Sequence, residues 1–300
     1  MEYVNSTSAC DEKTANYIKT VLYFSAFILS LIPNISLFLV ILRDKKLRNR
    51  SFNWFLLNLT VSNSPPLLLL ALRYLFFFTS GHLELSQFRE NYTTAFYVIF
   101  ISVESQTFLL ISIQRYSAVK ADLRLFDNPR RTILGIAATW LSSIVGCLVM
   151  SMADMDHRVE AFINFAVTLG IYCVSVAVNF LTFEKLKKVN CTIFRLFQTG
   201  AEEKFKIRRK TEFGVLIIGI SMFIGELPML IFIAANEGSF IPVSGTSCDF
   251  WPIYFVVARI VGSFPNSFVN VYVIYKTSAR YRKDFQDLFR RGKNNQVLPQ

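Results

Sequence analysis

Seven stretches of this chain are each long and apolar enough to cross a lipid bilayer, and no other feature constrains its fold as tightly. A helix needs roughly 17–25 predominantly apolar residues to span about 30 Å of hydrocarbon. The windows run Tyr17–Leu42, Phe52–Phe78, Tyr92–Val119, Thr132–Ala153, Val159–Phe183, Phe213–Ala235 and Phe250–Tyr275. Lipid offers backbone N–H and C=O groups no partners, and the windows are too long for barrel strands, so each is read as a helix. Composition agrees: 53% of the 300 residues are hydrophobic and 18% charged, a balance rare in soluble domains of this size. The expected fold class is all-α, a seven-transmembrane helix bundle. Its regions are an extracellular N-terminus (1–16), the transmembrane domain (17–275) and a cytoplasmic amphipathic helix with a tail (276–300).

Lysine and arginine set the orientation. With the N-terminus outside, the inner segments hold 26 of the 32 basic residues, and only Lys13, Lys19, Arg73, Arg89, Arg158 and Arg259 lie outside. The sequence therefore predicts a multi-pass plasma-membrane protein with an extracellular N-terminus and a cytoplasmic C-terminus. The net charge of +11 reads as topology and attraction to an anionic inner leaflet, with no nucleic-acid partner. The start MEYVNSTSACDEKT is polar and acidic where a cleavable leader needs a basic start and an apolar core, so the first span serves as its own insertion signal.

Topology also sorts the modification sites. Cys147 and Cys173 fall within spans and Cys191 inside the cell, which leaves Cys10 and Cys248 on the oxidising side. These two are expected to form a disulfide tying the N-terminus to the last outer loop; two free thiols are the alternative. Of six N-x-[ST] stretches, Asn34 and Asn58 lie within spans, Asn49 and Asn190 inside, and Asn91 beside a helix start, so Asn5 is the expected glycosylation site. The outer connections, Ser80–Asn91 and Asp154–Arg158 among them, are short. The inner segment Glu184–Thr211 is long and charged, and is expected to extend helices five and six beyond the membrane.

The residues at the inner ends carry a family likeness. Gln114-Arg115-Tyr116 closes span three, and Trp140 is the lone tryptophan of span four. Asn34 lies in span one, Asn58 to Asn63 read NLTVSN in span two, and GELP ends at Pro228 in span six. Span seven carries NSFVN, Asn266 to Asn270, followed by SARYRKDFQDLF. Together, in this order and at these depths, they resemble the rhodopsin-like family of G protein-coupled receptors. The resemblance covers nearly the whole chain. It implies coupling to a heterotrimeric G protein through Gln114, Arg115, Tyr116, Arg208 and Tyr275, with Pro228 as the hinge that lets span six swing. It also implies a short amphipathic helix after span seven, with Tyr281 and Phe285 turned toward lipid.

Departures from the family pattern are equally informative. Gln114 replaces the acid that restrains the arginine, and Arg208 is basic where a restraining carboxylate often lies, so restraint is expected to be weak or borrowed from Glu203 or Glu212. Val271 and Ile274 stand where span seven has its proline and tyrosine, with Tyr272 and Tyr275 adjacent. Glu90 takes the place of the span-three cysteine. Asn63 takes the place of the span-two aspartate, while Glu104 lies eleven residues before Arg115, roughly 16 Å deeper and at the same level. Asn34, Asn63, Glu104, Asn266, Ser267 and Asn270 are thus the candidate core polar cluster, and Glu104 the candidate site for a monovalent cation or a proton. A protonated, purely structural glutamic acid is the alternative.

No metal and no organic cofactor are expected. Carried over by position, the ligand pocket comprises Arg73, Tyr97, Ile101, Glu226, Met229, Ile260 and Phe264, suited to a peptide or small molecule. Glu226 suits a basic group and Arg73 or Arg259 an anionic one; alternatively they pair with each other. Glu226-x-Pro228 and the SxxYRxxF tail resemble nematode serpentine chemoreceptors and FMRFamide-type neuropeptide receptors. Competing readings are a seven-span chemosensory channel or transporter, which the charge bias opposes, and a decoy receptor that no longer couples. A metal-dependent membrane hydrolase has only His82 and His157 to work with, so no enzyme is expected.

Overall fold

The computed structural model describes residues 12–66, 83–119, 128–153, 157–196, 213–221, 270–276 and 278–294, with residues 68, 69, 71, 72, 75, 126, 223–225, 227 and 268 between them. Every regular element among the described residues is a helix. In chain order they are α1 (Glu12–Arg43), α2 (Lys45–Arg48), α3 (Ser51–Asn63), α4 (Leu83–Val119), α5 (Pro129–Met152), α6 (His157–Leu196), α7 (Phe213–Gly225) and α8 (Ala279–Asn294), with a helical run at 270–276 preceding the last. Among the described residues three helices are long and apolar enough to cross a membrane: Thr20–Arg43, Pro129–Met152 and Phe162–Leu186, with mean hydropathies of 2.3, 2.1 and 1.8. They fall in spans one, four and five.

The elements begin and end for local reasons. Asp44 breaks α1 from α2, its Oδ1 accepting from the Lys46 backbone N–H at 2.8 Å. Asn128 caps α5 in the same way, accepting from Arg130 N–H at 3.0 Å, and Pro129 follows at the position where a missing N–H costs nothing. The sequence places Ser80–Asn91 in a loop, but the chain is helical from Leu83. After Gly81 the segment LELSQFREN contains no glycine or proline and is rich in good helix formers, so nothing in it stops the helix. At the other end of the bundle α6 runs on to Leu196. Its 40 residues amount to about 60 Å, twice the hydrocarbon thickness.

The long α4 is the axis of the described bundle and packs against α3, α5 and α6. One buried cluster joins Phe55 and Leu59 of α3, Phe108 and Ile111 of α4, Tyr172 of α6, and Val215 and Ile218 of α7. Small residues allow close approach there, since a Cβ on Gly219 would collide with the Phe108 ring. A second cluster, at the Arg115 end, joins Leu37 and Ile41 of α1, Leu47 of α2, Leu56 of α3, Ile274, and Tyr281 and Phe285 of α8. That location corrects one expectation. Tyr281 and Phe285 are each 5% exposed and face the bundle, not lipid. The feet of spans one and two leave an apolar gap that these two rings fill.

α5 is attached differently. Its leucines 134, 141 and 148 and Met152 are exposed, and the side chains it buries are Thr132, Thr139 and Ser143. Hydrogen bonds hold it instead. Trp140 Nε1 donates to Asn58 Oδ1 at 2.9 Å, and Asn58 Nδ2 donates onward to Thr107 Oγ1 at 2.6 Å. Ser142 Oγ donates to Gln106 Oε1 at 2.7 Å, while Gln106 Nε2 donates to Ser102 and Ser143.

Candidate functional site

Arg115 lies in the last turns of α4, where the helix leaves the bundle. Its guanidinium carbon sits 3.9 Å from the centroid of the Phe52 ring, in the first turn of α3. A planar cation stacked on an aromatic face is held by about 0.5–2 kcal/mol, more as water is excluded. On either side, Gln114 Nε2 reaches the carbonyl of Phe126 at 3.5 Å, and Tyr116 faces α6, with Lys185 Nζ 5.6 Å from its ring centre. Phe126 returns to the bundle by packing edge-on against Phe55 at 5.5 Å. Arg208, Glu203 and Glu212 lie outside the described residues.

Next to Arg115, α8 is pinned to the segment between spans one and two. Arg280 Nε donates to Asp44 Oδ2 at 2.5 Å. The Tyr281 hydroxyl donates to Asn53 Oδ1 at 2.5 Å, and Asn53 Nδ2 donates to the Leu47 carbonyl at 2.6 Å. Of the neighbouring tyrosines, Tyr275 packs on Phe285 with ring centres 6.1 Å apart, and Tyr272 is 61% exposed.

The charges of this junction oppose one another. The Arg280 hydrogen bond holds the Asp44 carboxyl below the usual carboxylate range. Burial, and then the negative charge of Asp44, push Asp284 the other way. A depressed carboxyl stabilises the folded state above its unfolded pKa, and that stability is lost as pH falls through the lowered value; a raised carboxyl works against folding at neutral pH and is relieved by acid. Asp44→Asn is therefore expected to speed amide exchange in α8 at neutral pH, and Asp284→Asn to slow it or leave it unchanged. Faster exchange in both variants would contradict these assignments.

Deeper in the bundle, Asn63 at the end of α3 and Glu104 in α4 are in contact, at 3% and 4% exposure. With its amide nitrogen turned to the carboxylate, Asn63 Nδ2 lies 3.0 Å from both Glu104 oxygens. Asn34 Nδ2 donates to Ser64 Oγ, next in the chain to Asn63, at 2.7 Å. Asn270 is buried, and its Oδ1 meets no partner among the described residues. Asn266 and Ser267 fall outside them. Among the described residues no three His, Cys, Asp or Glu side chains gather at metal-binding distance.

Of the expected pocket residues, Ile101 is buried in α4, and Tyr97 is on the same helix. Arg73, Glu226, Met229, Ile260 and Phe264, the hinge Pro228, the cysteines Cys10 and Cys248, and Asn5 lie outside the described residues. The sequence reading missed Phe52, Asn53 and the inward turn of Tyr281. No local signal marks them, since each matters through a neighbour distant in sequence.

The described residues thus form a multi-pass all-α bundle, with Arg115 at the end of span three and Asn63 against Glu104 between spans two and three. The sequence model of the 7 transmembrane receptor (rhodopsin family) matches residues 33–192, more than half of the 300. The chain belongs to that family. No curated protein was found to match it.

Proposed function

We propose that the chain is a G protein-coupled receptor of the plasma membrane. It detects a peptide or small chemical cue outside the cell and activates a heterotrimeric G protein inside, with the N-terminus extracellular. The observation that carries this reading is Arg115, a permanent cation at the end of span three, held by stacking on Phe52. Such a contact is releasable: the partner protein offers the guanidinium hydrogen bonds that an aromatic face does not. Gln114 adds no charge to the restraint, so ligand-free signalling is appreciable. The family motifs around Glu226 and in the SxxYRxxF tail favour a chemosensory or neuropeptide ligand. Glu104 is the group through which a monovalent cation or a proton acts on the equilibrium.

The test is ligand-independent G protein activation by wild type and Arg115→Ala at matched surface levels, read against every G protein class. Wild type is expected to signal above untransfected cells, with the signal lost in Arg115→Ala. Equal signals from the two would remove Arg115 from the coupling site, and silence from both would favour a non-coupling decoy.

A further inference from the structure

We propose that the Tyr281 hydroxyl is the positioning group that keeps Arg115 in its resting place, acting through Asn53 and the first turn of α3. The inference rests on the proposed reading of Arg115 as the coupling group, and adds where its restraint comes from.

The first turn of α3 has no side-chain cap of its own, because its N-cap residue, Arg50, makes none. Four N–H groups at a helix start lack helical partners, and without a cap the turn frays. Asn53 ties the turn down in another way, to the segment that precedes it. Its backbone N–H donates to the Arg50 carbonyl at 3.0 Å and its side-chain amide to the Leu47 carbonyl at 2.6 Å, which folds residues 47–53 into one unit. The remaining amide atom, Oδ1, receives the Tyr281 hydroxyl at 2.5 Å.

That bond fixes which way the turn faces. Asn53 is 1% exposed and Tyr281 5%, so no water competes for the contact. Burial also pushes the phenol well above its ordinary range, despite the nearby cations Arg50 and Arg115, so it remains a neutral donor. Phe52 precedes Asn53 in the same turn, and its ring carries the Arg115 guanidinium at 3.9 Å. A restraint on the end of span three is thus delivered from the helix that follows span seven, across three elements and two side-chain contacts.

Tyr281→Phe tests this with minimal disturbance, because the ring stays in its cluster with Leu37, Ile41 and Phe285 and only one oxygen is lost. The full-length receptor in lipid nanodiscs is read in two ways that do not need a G protein. Amide exchange across residues 45–55 is expected to speed up about ten-fold, the size of one lost buried hydrogen bond. Glyoxal modification of Arg115, resolved by mass spectrometry, is expected to rise several-fold, as it should in Phe52→Ala. Exchange in α5 is expected to stay unchanged. An unchanged Arg115 modification overturns the proposal whatever the signalling does, and so does an equal rise of exchange in α5, which would mean general loosening. In cells, Tyr281→Phe should raise ligand-free signalling, and adding it to Phe52→Ala should raise it no further. Freed Arg115 with silence from every variant and wild type would leave the positioning role standing and overturn the coupling reading.

Discussion

Replacing Gly219 with valine is expected to lower the melting temperature of the receptor sharply. Gly219 lies buried in α7 directly against the Phe108 ring of α4, where even a methyl group would overlap ring carbons. The ring has nowhere to go: Phe108 is fully buried among Phe55, Leu59, Ile111, Tyr172 and Val215. Overpacking a filled core costs about 1–3 kcal/mol and sometimes more. In lipid, where apolar side chains gain nothing by leaving the solvent, close backbone approach at small residues is itself a main source of helix association. Valine therefore loses the contact as well as straining it. Thermal unfolding of the detergent-solubilised protein is the measurement, and Phe108→Leu in the same chain should recover part of the loss by making room. Wild-type melting in Gly219→Val would show that α7 does not meet α4 at this point.

The second large effect concerns the amide–carboxylate pair. Asn63→Leu leaves both oxygens of Glu104 without the donor that faces them at 3.0 Å. Taking one donor away from a buried polar group costs about 1–3 kcal/mol, and more when the group is charged. Glu104→Gln keeps a hydrogen-bonding pair and should fold nearly as well as wild type, while Asn63→Leu should cost less in a Glu104→Leu background than it does in wild type. Unfolding curves for wild type, Asn63→Leu, Glu104→Leu and the double variant form a cycle whose coupling energy measures the pair. No coupling would mean that the two groups do not interact. On the proposed function, Glu104→Gln should also abolish any dependence of signalling on sodium and pH, and a receptor whose sensitivity survived would locate that dependence elsewhere.

The helical, multi-pass fold could be read from the sequence because lipid leaves the backbone one economical solution. The depth of Glu104 was also legible, since a helix rises by a fixed amount per residue: eleven residues from Arg115 sets it level with Asn63, and the structure brings the two together. Tyr281 and Phe285 were not legible in the same way. The spacing of α8 says that one face is apolar, but not whether lipid or the feet of spans one and two cover it. Nor could the sequence show that Phe52 meets Arg115, because that contact depends on the crossing of two helices. The helix over Leu83–Asn91 was missed for a simpler reason. Its charged and polar residues look like a loop by hydropathy, yet most of them favour helix.

The attachment of α5 has a consequence for handling the protein outside a cell. A helix whose buried side chains are Thr132, Thr139 and Ser143, and which is tied in by the Trp140–Asn58 and Gln106–Ser142 bonds, depends on dryness more than on shape. In hydrocarbon, an opened bond finds no replacement, so the helix stays. In a micelle that admits water to that depth, each bond can be exchanged for one to solvent at little net cost, and the leucines on its outer face are as well covered by detergent tails as by lipid. The fourth span is then the part of the bundle whose hold reports how wet its surroundings are, and short-chain detergents should release it before the core around Phe108 gives way.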